Sequence, residues 1–532
     1  MARLASVLLI LATLYICYFH NLGAIGLVGP DEPRYAWIAR SMAETGDWVT
    51  PRLYGQPWFE KPVLYYWGAA FSFKLFGVSE VAARLPSAIA ALLATLAMAW
   101  LAWRVYGAET ARWLLLLLPT TVGMIGFSHA AATDMPFAGM LTIAMVFAAR
   151  LLGLVPKSST SFTSSNPFNA LLFGLFLGLA VLAKGPAAMV LSGGAVLLWA
   201  AFAKRWRDAF RCLHPLALAS FCLTALPWYI LCAHRNPDFF RIFIIEHNFK
   251  RYLTPEFQHI QPFWYYIPVV LIAFVPWTLV LLWAIAIRLF HRERKFEFSP
   301  LTNFLLSWAI FCLVFFSISR SKLPGYILPA IPAIGFLLAR SYVVLSAEKD
   351  RSLRWLLSGW AILTLPVALV LIGIGRHSSR TDAESVMLVA GCVLLAFALA
   401  NLLLTIKTQT RGFVIATVAT LPLLLLLMMF HALSHPWLRW DPSGKTLAAE
   451  LTAARIPPSE TYTASMKRGQ QYSLRFYLHH EVQAWDPDQP KEGYLVLPAR
   501  SCNALVKPPA RCAGGPVELR NSGWFAYRVV KK

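Results

Sequence analysis

The chain has 532 residues, 58% of them hydrophobic and 14% aromatic, with a mean hydropathy of +0.56. That composition excludes an ordinary soluble domain and implies a polytopic membrane protein. Lys and Arg number 48 against 26 Asp and Glu, a formal charge of +22. No basic face is separate from the apolar segments, so a nucleic-acid binder is excluded as well.

Residues 4–22 carry Arg3 ahead of an apolar run. No small-x-small cleavage site follows and further spans do, so the segment reads as a first anchor rather than a signal peptide. Runs of roughly 17 to 25 apolar residues cross about 30 Å of hydrocarbon as helix, and such runs predict about thirteen spans. They begin near residues 4, 85, 113, 136, 168, 186, 215, 264, 301, 326, 354, 384 and 413. A cytoplasmic N-terminus would put the clusters Lys204/Arg205/Arg207/Arg211, Arg288/Arg292/Arg294/Lys295 and Arg340/Lys349/Arg351/Arg354 inside, as the positive-inside rule requires. Residues 23–84, residues 234–263 and the tail from about residue 432 then lie outside.

Outer loops should be poor in cations. These hold Arg34, Arg40, Arg52, Lys61, Arg84, Lys184, Arg235, Arg241, Lys250, Arg251, Arg320 and Lys322, which suggests an anionic ligand.

The first outer loop is the densest in chemistry. Gly29-Pro30 is a turn, Asp31 is a good N-cap, Pro33 falls in the first helical turn and Gly46 is a natural stop. The helix so predicted sets Asp31, Arg34, Tyr35 and Ile38 on one face, so a carboxylate, a guanidinium and a phenol are presented together. The bland alternative is an amphipathic interfacial helix capped by Asp31. Further on, Glu60-Lys61-Pro62 precedes a second interfacial helix over Val63–Phe76, rich in Tyr65, Tyr66 and Trp67.

Lys61-Pro62, Lys184-Gly185-Pro186 and Lys322-Leu323-Pro324 recur where the chain enters a helix from the outer side. Three such lysines would form a cationic collar, whose placement near hydrocarbon implies a ligand that offsets its cost. Asp134 stands just before Met135-Pro136 at the outer end of a span, either as a second carboxylate of that face or as a helix N-cap. Residues 245–252, IEHNFKRY, offer Glu246, His247, Lys250 and Arg251, or else a solvated charge run.

The tail loses the apolar runs. Helices are expected at Gly444–Arg455 and Tyr472–His479, with strands near Thr461, Val482, Tyr494, Val517 and Phe525. Cys502 and Cys512 close a short loop in this exported segment and are expected to be bonded. The other cysteines sit in or beside spans as packing residues.

In their order and spacing, PDEPRYAWIARSM, FEKPVLYYW, ATDMP, AKGP, EHNFKRY and SKLPGYILP resemble the GT-C glycosyltransferases of the bacterial aminoarabinose transferase and protein O-mannosyltransferase group. The resemblance covers about the first 340 residues. It implies an all-α polytopic membrane protein with about thirteen transmembrane helices and a small α/β periplasmic C-terminal domain. The expected division is residues 1–431, including loop 23–84 with its two interfacial helices, and residues 432–532.

The implied activity is inverting transfer of a sugar from a polyprenyl (undecaprenyl) phosphate to an acceptor at the periplasmic face of the bacterial inner membrane. Lipid A is the favoured acceptor, and a protein or glycan is the alternative. Carried over by motif, Asp31 and Asp134 are the catalytic carboxylates. Lys61, Arg251 and Tyr326 bind the lipid phosphate, while Arg34, Tyr35, Glu60, Lys184 and Lys322 complete the substrate pocket. Ile245 stands where some relatives have a His near the phosphate, so neither a metal nor any other cofactor is expected. The partners implied are the donor, the acceptor and membrane lipids, with the chain acting as a monomer. A flippase or secondary transporter would instead need inverted repeats and broken helices at the midplane, neither of which is evident in the sequence, although Pro276, Pro366 and Pro422 interrupt spans.

Overall fold

A helix satisfies every backbone amide within its own segment, so apolar runs that meet hydrocarbon become helices. The computed structural model describes residues 2–156, 167–250, 260–290 and 299–347, scattered positions between 365 and 399, and 442–531 apart from 499–501, 503, 504 and 507–509. Helix α1 covers Ala2–Tyr18, α2 Asp31–Thr45 and α3 Leu64–Phe76, with a two-residue hairpin of β1 (Arg52–Leu53) and β2 (Gln56–Pro57) between the last two. The hairpin loop is Tyr54-Gly55, both at positive φ, the geometry a tight hairpin turn demands.

Then come α4 (Glu80–Tyr106), α5 (Ala108–Leu117), α6 (Val122–Ser128), α7 (Asp134–Leu151), α8 (Pro167–Lys184), α9 (Ala187–Ala203) and α10 (Pro215–Arg235). They are followed by α11 (Tyr266–Ala273), α12 (Thr278–Phe290), α13 (Pro300–Ile318) and α14 (Ile331–Ala347), the last entered through a 3-10 turn over Pro324–Ala330.

Among the described residues, six helices are long and apolar enough to cross a membrane, and two bent pairs raise that to eight. With the shorter α1 and α9, helices occur at ten of the expected positions. The segments expected near residues 354, 384 and 413 fall largely outside the described residues.

Of the two bent pairs, the interruption at Pro276 was expected and the one at Pro119 was not. The α5–α6 pair turns by 63° and the pair ending in α12 by 115°. Pro119 sits in the first break and Pro276 in the second, and neither can donate to the helical ladder. The breaks satisfy each other: Trp277 Nε1 donates to Thr120 Oγ1 at 2.8 Å, and the Val122 amide donates to the Val275 carbonyl at 2.9 Å. Two helices are therefore broken among the described residues.

Close packing rests on small residues. Gly174 and Gly178 let α8 approach α10, where a side chain at Gly174 would strike the Ala217 carbonyl. Gly139 does the same for α7 against Ala90 of α4.

The bundle has two unlike ends. At one, Tyr106 bonds Ser299 at 2.5 Å, Arg340 lies over the Tyr106 ring, Arg205 reaches the Leu152 carbonyl and Trp199 that of Pro300. Lys204, Arg205, Arg207, Arg211 and Arg340 collect there, with Asp208 pairing Arg205 and Arg211. At the opposite end are the starts of α4 and α7, the ends of α8 and α10, helices α2 and α3 and the C-terminal unit.

That unit contains α15 (Lys445–Ala453), α16 (Arg468–Leu478) and strands β3 (Thr461–Thr463), β4 (Gln483–Ala484), β5 (Gly493–Leu497), β6 (Ala510–Leu519) and β7 (Trp524–Lys531). Their order in the sheet is β4-β3-β5-β7-β6, with β3 parallel to both neighbours and β7 antiparallel to both of its own. Each element lies on or within a few residues of its expected position. Cys502 and Cys512 are joined, with Cα atoms 6.6 Å apart. Helix α16 docks on the segment between α1 and α2 and on the start of α4: Ser473 donates to the Leu27 carbonyl, the Leu27 amide donates to the Tyr477 hydroxyl, and that hydroxyl donates to Glu80.

Candidate active site

Helix α2 begins at the Gly29-Pro30 turn and ends where Gly46, at φ 74°, donates its amide to the Met42 carbonyl. Its N-cap is Pro30, and Asp31 is the first helical residue, not the cap that was expected. The Asp31 carboxylate instead pairs with Arg34 one turn on, leaving the Asp31 side chain 51% exposed while that of Arg34 is 6% exposed.

The Arg34 guanidinium is gripped on every edge. It donates to the Pro30 carbonyl at 2.7 Å, to Glu60 at 3.1 Å and to Asp31. Lys61 lies 3.6 Å from the other oxygen of Glu60. Rings of Tyr35, Trp58 and Tyr472 surround the guanidinium at 5.7, 5.5 and 5.3 Å. Burial works to lower the Arg34 pKa, but the charges of Glu60 and Asp31 more than offset it, so the group is held more firmly protonated than usual.

Two buried polar atoms beside this cluster, the Tyr66 hydroxyl and the Trp58 indole N–H, have no hydrogen-bond partner among the described residues. Burial, then the nearby charge of Glu60, pushes the Tyr66 and Tyr35 hydroxyls far above the usual phenol range, so both remain neutral donors. An orphan buried donor beside an ion cluster suits a group that arrives with substrate.

A second constellation forms at the mouth of the bundle. Asp134 is the first residue of α7, with Thr133 at the cap position, and its carboxylate accepts from Lys184 at 2.5 Å. The Lys184 ammonium lies 4.8 Å from the Tyr326 ring and 5.5 Å from that of Phe137. A Cβ at residue 325 would fall 2.7 Å from Asp134 Oδ1 and 2.8 Å from Phe127 Cε1, so any other residue there must push these side chains aside. Three elements distant in sequence thus meet around one carboxylate.

Glu32 joins the two groups, and sequence reasoning missed it. Its carboxylate accepts from Arg84 Nε and Nη2 at 3.0 and 2.8 Å, from the Val28 amide at 2.8 Å and from the Ala131 amide at 2.7 Å. Arg84 also donates to the carbonyls of Leu22, Ile25 and Gly26. The residue after Asp31 is therefore bonded three residues before Asp134, through a pair that is 7% and 2% exposed. Arg84 is structural, not one of the ligand-facing cations expected. The missed signal was its place in an apolar helix, where a charge needs a partner.

Other outer cations are also paired locally: Arg40 with Glu44, Arg52 and Arg235 with Asp47, and Arg241 with Asp238 and Glu246. This corrects the expectation that the whole set faces a ligand. Lys322 is buried, donating to the Ser319 and Gln261 carbonyls at 2.6 and 3.0 Å. The collar accordingly divides, with Lys61 on Glu60, Lys184 on Asp134 and Lys322 on backbone. Residues Arg241–Lys250 form a π-helical segment in which Ile245 is exposed. Arg251 lies outside the described residues. Among the described residues, no three His, Cys, Asp or Glu side chains converge as metal ligands would.

A family model for dolichyl-phosphate-mannose-protein mannosyltransferase matches residues 4–243. The undecaprenyl phosphate-alpha-4-amino-4-deoxy-L-arabinose arabinosyl transferase of Edwardsiella ictaluri is 34% identical over 350 residues, 65% of this chain and 61% of that protein. Its counterpart in an Enterobacter species is 33% identical over 386 residues, 71% and 67% of the two chains. The matched stretch thus spans about two thirds of the length of these curated relatives. The crystal structure of ArnT from Cupriavidus metallidurans bound to undecaprenyl phosphate superposes with a TM-score of 0.77 at 25% identity, covering 98% of this chain and 97% of that one. On these likenesses, the chain belongs to the arabinosyl transferase family of multi-pass membrane glycosyltransferases.

Proposed function

We propose that the chain is an inverting glycosyltransferase that moves 4-amino-4-deoxy-L-arabinose from undecaprenyl phosphate to lipid A at the periplasmic face of the inner membrane. The observation that carries this reading is the pair of carboxylates at one end of the bundle. Asp31 is paired with Arg34 and Asp134 with Lys184, and Glu32, next to Asp31, accepts from the Ala131 amide three residues before Asp134. The Arg-rich opposite end supports a cytoplasmic assignment there, with the site and the C-terminal unit outside. The same reading keeps the count of about thirteen spans, the division at residues 431 and 432, and action as a monomer.

The chemistry asks for what these residues offer. The leaving group is a phosphate whose second pKa is about 6, so departure needs cations rather than a strong acid. Lys184 and Lys61, with Arg251, would neutralise charge as the bond from the anomeric carbon to phosphate oxygen breaks. Tyr326, stacked on Lys184, would donate to the same phosphate. The acceptor oxygen forms the new bond from the opposite face, which inverts the centre. Where that oxygen begins as a hydroxyl, its proton passes to Asp31, a contribution of about 10² to 10⁴-fold. Where it belongs to an ionised phosphate of lipid A, no proton moves, and Asp31 orients the acceptor. Arg34, Tyr35 and Glu60 hold Asp31 in place, and Asp134 sets Lys184. Lys322 supports the site through the loop it ties together.

A protein or glycan acceptor with the same type of donor is the second reading, favoured by the mannosyltransferase family match over residues 4–243. Mass spectrometry of lipid A from cells with and without the chain separates the two. Loss of aminoarabinose from lipid A on deletion supports the first reading, and unchanged lipid A overturns it.

A further inference from the structure

A cavity of about 540 Å³ lies between the loop that leads into α2 and the C-terminal unit. Gly29 and Pro30, directly before Asp31, form one wall, while Lys467, Asn521, Ser522 and Trp524 contribute to the other. The volume is within the usual range for small-ligand sites.

Its chemistry is selective. Among the described residues that line it, Lys467 is the one that is charged and none is a carboxylate. Lys467 is exposed and free to reach an anion. The Asn521 amide and the Trp524 indole add what carbohydrates bind to: directional polar groups beside an aromatic face. The wall is ordered in advance, because Glu450 accepts from the amides of Asn521 and Ser522 and from the Ser522 hydroxyl. Lys467 is also the cap position of α16, which has no side-chain cap and no acidic residue in its first turn, so its N-terminus adds partial positive charge on the same side.

We infer that this cavity holds the phosphorylated saccharide end of the acceptor, with Lys467 on a phosphate and Asn521 and Trp524 on the sugar. The inference rests on the glycosyltransferase reading, because its value is that an occupant touching Pro30 lies one residue from Asp31. It gives the C-terminal unit a task distinct from donor binding, whose proposed cations Lys61 and Lys184 lie outside this cavity.

The test uses the purified full-length chain in detergent and equilibrium binding of four probes. These are a deacylated bisphosphorylated glucosamine disaccharide, the same disaccharide without phosphates, inorganic phosphate, and undecaprenyl phosphate. The expected result is binding of the bisphosphorylated disaccharide, weakened about tenfold or more by Lys467→Ala and by removal of the phosphates. Asn521→Asp, which puts a carboxylate into the wall, should weaken it further. Both residues are exposed, so neither variant threatens folding, and undecaprenyl phosphate affinity should be unchanged in both. Retention of wild-type disaccharide affinity by the two variants overturns the inference, as does inorganic phosphate binding equally well.

Undecaprenyl phosphate bound without the disaccharide sinks the cavity alone, whereas failure of wild type to bind undecaprenyl phosphate sinks the glycosyltransferase reading. Intact lipid A binding more tightly than its deacylated headgroup assigns the site to a lipid acceptor, and equal binding assigns it to a soluble glycan.

Discussion

Asp31 and Glu32 are neighbours in sequence with opposite roles, and substitution should separate them. The Glu32 carboxylate is buried and accepts four hydrogen bonds, two of them from Arg84, itself 2% exposed. Glu32→Ala leaves that guanidinium charged in the interior and two amides without acceptors. Breaking a buried pair from one side costs about 3 to 5 kcal/mol, and the orphaned amides add to it. Asp31 is half exposed and loses one ion pair when changed to Asn, an effect of less than about 1 kcal/mol for a solvent-screened pair.

Thermal unfolding of the detergent-solubilised variants, followed beside transfer activity, should show two contrasting outcomes. Asp31→Asn melts close to wild type and does not transfer, while Glu32→Ala melts far below it. Asp31→Asn unfolding as early as Glu32→Ala, or Glu32→Ala melting like wild type, would refute the assignment of frame and reactive group. The double variant Glu32→Gln/Arg84→Met, which removes both charges, should recover a substantial part of the loss.

Gly325→Ala puts a methyl group 2.7 Å from Asp134 Oδ1, so turnover should fall by at least about tenfold while membrane insertion is preserved; unchanged turnover would show that the Asp134 position is not critical. Lys184→Ala should weaken undecaprenyl phosphate binding by about tenfold or more. Lys322→Met should lower melting temperature without changing that affinity directly, and the reverse pattern in a binding titration would restore the collar. Tyr66→Phe removes a buried hydroxyl that has no partner among the described residues, so stability should be unchanged or slightly raised. Its turnover should nonetheless drop several-fold, and a variant with full activity would make the hydroxyl a packing detail.

What sequence reasoning captured and missed follows from the range of the interactions. Helix α2 was legible because its limits are local, Pro30 before it and the left-handed Gly46 after it. The C-terminal elements were equally legible, since alternating apolar residues mark strands within a few positions. Asp31 was misjudged as a cap because the cap role and the ion pair with Arg34 use the same residue type, and only the turn at Pro30 decides between them. The Glu32–Arg84 pair spans 52 positions, and the Trp277–Thr120 contact that joins the two helix breaks spans 157. No periodicity reports such pairings. Tyr472 sat in an expected helix, yet its place over Arg34 depends on docking between segments 438 positions apart.

The central claim is that Asp31, paired with the buried Arg34, acts on the acceptor while Asp134 sets the half-buried Lys184 against the phosphate of a sugar carried by undecaprenyl phosphate. The most direct measurement is sugar transfer to lipid A by the purified chain and its Asp31→Asn variant, using undecaprenyl phosphate-linked aminoarabinose as donor. Product mass should show transfer by wild type and none by the variant, with undecaprenyl phosphate bound equally by both. Near-normal transfer by Asp31→Asn would contradict the account.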